Sequence, residues 1–382
     1  MPYPWGSRTA IAALTGRPVP SSGPEAELWM GAHPVAPSLV ERDGTRTSLE
    51  TIIARAPERE LGHAVTTQLG ARLPFLLKVL AAAEPLSLQA HPTMAQARAG
   101  WDDEEKRGIP RDAPSRNYKD ASHKPELLCA LTPFDALSGF RAVDATLRLF
   151  EQLAVTELED ALRPLRAAPD ADGLACTFRA LMTMPLDACA NVVDATLAAC
   201  ARPHDDFVRE RENALRLAAL YPGDIGIVSA LLLELVHLEP ADAIYLGAGN
   251  LHAYLEGTGV EIMASSDNVL RGGLTKKHID VPELLRCLDF KAGPSKVIRP
   301  RALDEHESVY DTPATEFRLS RLHVDGLVTR DVTGPEILLV TEGAMRAPLA
   351  LVRGASAFVP ASTTTYTLEG QGTVFRATTN LM

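Results

Sequence analysis

Cysteine is scarce and unpaired in this 382-residue sequence. The five cysteines (Cys129, Cys176, Cys189, Cys200, Cys287) show no close pairing and no C-x-x-C. Neither a disulfide framework nor a thiolate zinc site is expected, and a reducing cytoplasm fits. Positive charge is also short: 38 Lys and Arg face 49 Asp and Glu, a formal charge of −11. That argues against a phosphate-backbone binder, because nucleic-acid affinity rests on counterions released by a basic face. A small anionic substrate needs only a local basic pocket. The longest apolar run, "IGIVSALLLELVHL" (225–238), is too short to span a bilayer and carries Glu234 and His237. The opening "MPYPWGSRTA" has no basic region followed by an apolar stretch, hence no secretory signal. The expectation is a soluble, unexported protein without nucleic-acid or membrane partners.

What is present is ordinary globular composition, 46% hydrophobic and 23% charged, in a chain long enough for two or three domains. Three zones follow one another. Residues 1 to about 142 hold short strand-like runs, including "AELWMGAHPVAPS" and "LPFLLKVL", and a polar, loop-like stretch "WDDEEKRGIPRDAPSRNYKDASHKP". From about 143 to 238, apolar residues recur at three- and four-residue spacing, as in "VDATLRLFEQLAVTELEDALRPL" and "ANVVDATLAACA". After "EPAD" short strands return, and from about 299 onward the chain reads as β, through "EFRLSRLHV", "EILLVTEG" and "GTVFRATT". A mainly β protein with an inserted helical domain is the simplest account.

Chemistry concentrates in "LSLQAHP" (86–92), where Ser87, Gln89 and His91 alternate with apolar residues. A half-exposed strand would show the same alternation. The preceding "PFLLKVLAAAEP" is among the most apolar parts of the chain, and a polar row in such surroundings more often lines a cavity. Gln89 and His91, with Cα atoms roughly 6.6 Å apart on an extended strand, can converge on one ion. Glu126 in "SHKPELL" and His252 in "GNLHAYL" offer the further ligands. Ten histidines make an accidental trio easy, and Gln is not a routine zinc ligand.

The segments "PYPWGS", "AELWMGAHP", "PFLLKVLAAAEPLSLQAHP", "NYKDASHKPELLCALTPFDALSGFR", "PGDIGIVSALLLELVHLEPADAIYLGAGNLHAYL" and "GVEIMASSDNVLRGGLTKK" resemble, in order and over most of residues 1 to 290, the type I phosphomannose isomerases. The resemblance implies two cupin (jelly-roll β-barrel) domains and an inserted α-helical domain: residues 1–142 with 239–298 as the catalytic cupin, 143–238 helical, and 299–382 as the C-terminal cupin. It implies one zinc ion per chain held by Gln89, His91, Glu126 and His252, and a phosphosugar substrate whose aldose and ketose forms interconvert through a cis-enediol. A monomer is expected. Arg271 of "SDNVLRGGLT" matches the family's active-site arginine.

A base and electrophiles are needed for that reaction. Zinc and Arg271 are the electrophile candidates; Glu261, Lys78, His123 and Asp267 are all candidates for proton transfer, with no choice made among them. Burial of Lys78 inside "FLLKVL" is expected to lower its pKa. Ser87 and Lys277, rather than Lys276, are read as phosphate ligands, with Lys124 as a further substrate contact. Two departures from the family stand out: "RGGLTKKH" replaces R-A-G-L-T-P-K-F, and the chain opens where relatives have about ten more residues, as from a shortened reading frame. The C-terminal barrel lacks Q-x-H with a matching acid and is expected to be metal-free. The competing readings are a cupin iron oxygenase and a sugar-binding cupin without activity.

Overall fold

The computed structural model describes residues 1–347 and 349–381. It contains both helices and strands, with two large antiparallel sheets. Strand β1 (Glu27–Met30) is followed by a separate hairpin of β2 (Leu39–Arg42) and β3 (Thr45–Ser48). The first large sheet then takes β4 (Phe75–Ala82), β5 (Leu88–Ala90), β6 (Glu126–Ala130), β7 (Phe134–Phe140), β8 (Leu233–Leu238), β9 (Ala243–Leu246), β10 (His252–Ala264), β11 (Leu270–Gly273) and β12 (Val297–Ile298).

Strand β10 organises this sheet. Its first half pairs with β5 and β7, its second half with β4 and β6. The change of partners falls at Gly257, where φ is +132° and a Cβ would lie 2.5 Å from the Phe134 ring. Only glycine takes that conformation without strain, so the chain can fold the sheet over itself there. Two layers result, with an interior that includes Leu80, Leu128, Ala136, Val236, Ile244 and Tyr254.

Both outer faces are covered, which is why these strands are apolar on both sides. Leu77, Val79, Leu127 and Ile262 pack on Phe317, Leu319, Leu339 and Phe375 of the C-terminal sheet. Leu88, Leu137, Ala253 and Leu255 pack on the helical segment through Leu149, Phe150, Phe178 and Leu217. The C-terminal sheet has seven strands, among them β13 (Arg301–Ala302), β14 (Glu307–Tyr310), β15 (Arg318–Asp331), β16 (Glu336–Ala347) and the long final strand Thr365–Thr378. Its interior buries an ionic cluster. Arg376 Nε donates to Glu336 Oε2 at 2.8 Å and Nη1 lies 3.3 Å from Glu307 Oε2.

Three local expectations need correction. The stretch read as a loop from Trp101 begins inside a helix, Met94–Lys106, started by a Thr93–Gln96 capping box. Short helices Leu49–Arg55, Pro57–Leu61 and His63–Gln68 also interrupt the N-terminal β zone. The end of the 143–238 helical zone is strand β8, paired with β7. Its continuous apolar run does not distinguish a buried helix from a buried strand.

Candidate functional site

The register of the strands aligns the polar side chains on the inner face. Directly opposed residues of an antiparallel pair project to the same side. Gln89 on β5 stands between His252 of β10 and Arg271 of β11, and His252 in turn faces Ser138 of β7. Leu88 and Ala90 point the other way, into the core shared with the helices. In the opposite layer, Lys78 of β4 pairs with Glu261 of β10 and Trp29 of β1. The strand within "LSLQAHP" is only Leu88–Ala90; Ser87 precedes it and His91 follows it.

His91, Glu126 and His252 meet, with one ligand atom from each lying within 4.8 Å of the others. His91 Nε2 is 3.3 Å from Glu126 Oε1, and His252 Nε2 is 3.5 Å from Glu126 Oε2. All three side chains are buried, and His91 Nε2, His252 Nε2 and Glu126 Oε2 have no hydrogen-bond partner. The other ring nitrogens are committed: His91 Nδ1 donates to the Asn268 carbonyl at 2.7 Å, and His252 Nδ1 donates to the Asn250 carbonyl at 3.0 Å. A carbonyl only accepts, so each Nδ1 carries the proton and each Nε2 presents a lone pair. Burial pushes the His91 pKa down to about 4, keeping the ring neutral. Burial alone would raise Glu126, but the Lys124 ammonium opposes it and holds the carboxyl well below its usual range. Lone pairs facing each other in a dry pocket repel unless a cation sits between them, and the donor set N, N, O suits a metal such as zinc. Among the described residues, this is the group of metal-capable side chains that comes together.

Around the trio run further polar groups. Lys124 Nζ is 3.1 Å from Glu126 Oε1. Lys78 is buried, 2.9 Å from Glu261 Oε2 and 3.5 Å from Glu27 Oε1, with its ammonium over the Trp29 ring. Burial lowers the Lys78 pKa as expected, but Glu261, Glu27 and Glu126 together raise it above the ordinary lysine value. The expected lowering is therefore corrected: desolvation acts, and three carboxylates overrule it. Burial raises Glu261; Lys78 opposes this, while Glu126 and Glu27 add to it. Tyr254 Oη donates to Glu261 Oε1 at 2.9 Å, and Trp29 Nε1 donates to Glu27 Oε2 at 2.9 Å.

Two proton-transfer candidates are engaged elsewhere. His123 pairs with Glu316 at 2.6 Å, in the segment leading to β15, and lies outside the trio. Asp267 pairs with the buried His33 at 3.2 Å, and this hydrogen bond lowers its pKa. His33 Nδ1 accepts from the Val35 N–H at 3.3 Å, so its proton sits on Nε2, facing Asp267. Arg271 is half-buried, and among the described residues no carboxylate pairs with it. Burial lowers its pKa, and burial together with Arg271 lowers that of Lys277, which is exposed. That leaves uncompensated positive charge at the end of β11, suited to an anion.

Sequence reading did not single out Glu27, Trp29, Tyr254, Asn250 or Asn268. Tyr254 had a signal, since it stands two residues after His252 on the same strand face. Asn250 and Asn268 act through backbone carbonyls, which leave no mark in a side-chain pattern.

Comparison with known proteins agrees with this geometry. Residues 1–143 match the family model described as phosphomannose isomerase type I, catalytic domain. Mannose-6-phosphate isomerase of Escherichia coli (strain K12) is 39% identical over 384 residues, covering 98% of this chain and 96% of the relative. A variant phosphomannose isomerase from Salmonella typhimurium has a crystal structure similar to this one, with a TM-score of 0.92 and 36% identity over 100% of this chain and 97% of that one. A zinc-bound mannose 6-phosphate isomerase structure gives a TM-score of 0.90 at 36% identity, with the same coverage. With identity of this order along nearly its whole length, the chain belongs to the type I phosphomannose isomerase family.

Proposed function

We propose that the protein is a zinc-dependent aldose-ketose isomerase that interconverts D-mannose 6-phosphate and D-fructose 6-phosphate, with one zinc ion bound by Gln89, His91, Glu126 and His252. The observation that carries this reading is the convergence of three buried, partnerless ligand atoms in a chain whose relatives are mannose-6-phosphate isomerases. Those relatives give no support to an oxygenase or to an inactive sugar-binding protein. Zinc bound there would supply a Lewis acid for the sugar's C1 and C2 oxygens.

The remaining chemistry falls to this chain's own residues. In the open-chain aldose the C2–H bond breaks, its electron pair becomes the C1=C2 bond of a cis-enediol, and the C1 carbonyl oxygen takes up a proton. The O2 proton then leaves as C1 receives one, giving the ketose. Glu261 is the carboxylate favoured for moving the C2 proton, because burial raises its pKa toward that task. Lys78 serves as its charged partner and holds it in place. Arg271, lacking a carboxylate of its own, would stabilise negative charge developing on the enediol oxygens. Ser87 and Lys277 are assigned to the phosphate, and Lys124 to the sugar beside Glu126. His123 and Asp267 are given no proton-transfer role in this reading, since they pair with Glu316 and His33.

The two-layered sheet around β10 supports a catalytic cupin barrel built from residues 1–142 and 239–298, to which β8 is added from the end of the 143–238 helical domain. Residues 299–382 are assigned to a second cupin. A cytoplasmic monomer is proposed; among the described residues no helix is long and apolar enough to cross a membrane. A coupled assay of the purified, zinc-analysed protein with mannose 6-phosphate tests the whole reading. A zinc-replete preparation that forms no fructose 6-phosphate overturns it.

A further inference from the structure

The turn 265–269 joins β10, which carries His252 and Glu261, to β11, which carries Arg271. The segment 119–122, leading toward Lys124 and Glu126, runs against it, and a closed set of hydrogen bonds ties the two together. Asn268 is fully buried. Its Oδ1 accepts from the backbone N–H of Lys119 at 2.7 Å and of Asp120 at 3.2 Å. Its Nδ2 donates to the carbonyls of Asp120 and Ser122, both at 2.8 Å, and lies 3.3 Å from the Asp120 carboxylate. That carboxylate accepts from the Asp267 N–H at 2.8 Å, the Ser122 N–H at 2.9 Å and the Ser266 hydroxyl at 2.9 Å.

The residue types are dictated by this pattern. Position 268 needs an acceptor at one end and a donor at the other, which an amide supplies and a carboxylate does not. Position 120 needs an acceptor for two N–H groups, a hydroxyl and an amide at once, which a carboxylate supplies. With its side chain held at both ends, Asn268 has little freedom to turn its peptide plane. Its carbonyl therefore stays 2.7 Å from His91 Nδ1.

We propose that Asp120 and Asn268 form one clasp that positions His91, presenting its Nε2 lone pair to the metal without either residue touching metal or substrate. This rests on the zinc reading above. It makes the clasp part of the metal affinity, because an imidazole left free to rotate or to change tautomer loses the preorganisation that a hydrogen-bonded ligand brings. The clasp also carries the Asp267 N–H and lies two residues before the strand bearing Arg271, so one set of bonds sets both the ligand and the neighbouring active-site side chains.

Asn268→Asp and Asp120→Asn change no volume and break the pattern, so they are the variants to make. Zinc affinity is measured by competition with a chromophoric chelator, alongside the melting temperature of the metal-free proteins and the ¹⁵N-resolved tautomer of His91. We expect zinc affinity to fall about 10- to 100-fold in Asn268→Asp, the range seen for partners of metal ligands. The double variant should lose less than the product of the two single losses, because both release the same carbonyl. Should either variant fail to fold, Ser266→Ala removes one arm of the clasp and should weaken zinc several-fold. In the unaltered protein the His91 proton should sit on Nδ1. A fall in melting temperature with unchanged zinc affinity would mean a merely structural role and overturn the clasp, as would an Nε2–H tautomer in the unaltered protein. Should the unaltered chain bind no zinc while folding normally, the metal reading itself fails and the clasp falls with it; His91→Ala is the zero-affinity control that separates the two cases.

Discussion

His91 Nε2 and Glu126 Oε1 lie 3.3 Å apart, both buried, with no proton between them, because the one on the ring is held on Nδ1 by the Asn268 carbonyl. An acceptor set against an acceptor at that distance is unfavourable in a dry interior, and a cation turns the same contact into a binding site. Two imidazole lone pairs and a carboxylate oxygen face the same point, a donor set suited to a metal cation.

The first consequence is that His91→Ala and His252→Ala should each lose stoichiometric zinc and activity together, since two remaining protein ligands from the trio hold metal poorly. Metal analysis after dialysis reads the outcome. Full zinc occupancy in either variant removes that residue from the ligand set.

Arg271 and Lys277 should separate chemistry from binding. A guanidinium that meets charge only as the enediol forms acts on kcat, so Arg271→Ala should lower kcat by about 100-fold, near 3 kcal/mol. Arg271→Lys should recover little, because the planar fork is lost. Lys277→Ala should raise KM and leave kcat within several-fold. Steady-state kinetics on zinc-replete proteins decide it; a normal kcat with a greatly raised KM for Arg271→Ala would move that residue to the phosphate.

Lys78 should behave as a fixed cation rather than a neutral-pH base. Its folded pKa lies above the unfolded one, so its ion pair with Glu261 contributes stability that is complete below the ordinary lysine value and fades only as pH climbs toward the raised folded value. Lys78→Met strands buried carboxylates and should cost about 3–5 kcal/mol. Denaturant melts at several pH values check both points; stability that already declines between neutral pH and the lysine range in the unaltered protein, but not in Lys78→Met, would contradict the assignment.

Gly257 is the backbone test. A side chain there needs φ near +132° and meets the Phe134 ring at 2.5 Å, so Gly257→Ala should destabilise the protein by about 1–3 kcal/mol or more. Thermal melts should show this against Gly16→Ala, where φ is +66° and a Cβ finds open space. Equal small losses would mean that the sheet is not folded at this point.

How much of this was legible in the sequence depends on the kind of signal. The proposed ligands Gln89, His91, Glu126 and His252 stood in local motifs, and the alternation around Gln89 showed that its face differs from that of Leu88 and Ala90. The apolar character of "PFLLKVL" showed burial. That both faces of β4 are covered, one by the C-terminal sheet and the other by the folded first sheet, is a property of long-range packing. Helix Met94–Lys106 and strand β8 were misread for the same reason: a polar stretch hides a surface helix, and a short apolar run serves either structure until its neighbours are known.

The charge state of Lys78 and the positions of His123 and Asp267 were decided by tertiary structure alone. Desolvation of Lys78 could be read from its surroundings in the chain, but the carboxylates that reverse its effect come from β1, β6 and β10, brought together only by the folded sheet. His123 finds Glu316 across 193 residues of chain, and Asn268 reaches His91 across 177. By itself the sequence narrowed the chemistry to a set of candidate groups, because side-chain identity is local. Their protonation, orientation and partners came from the fold, because each depends on Coulomb and hydrogen-bond terms between residues far apart in the chain.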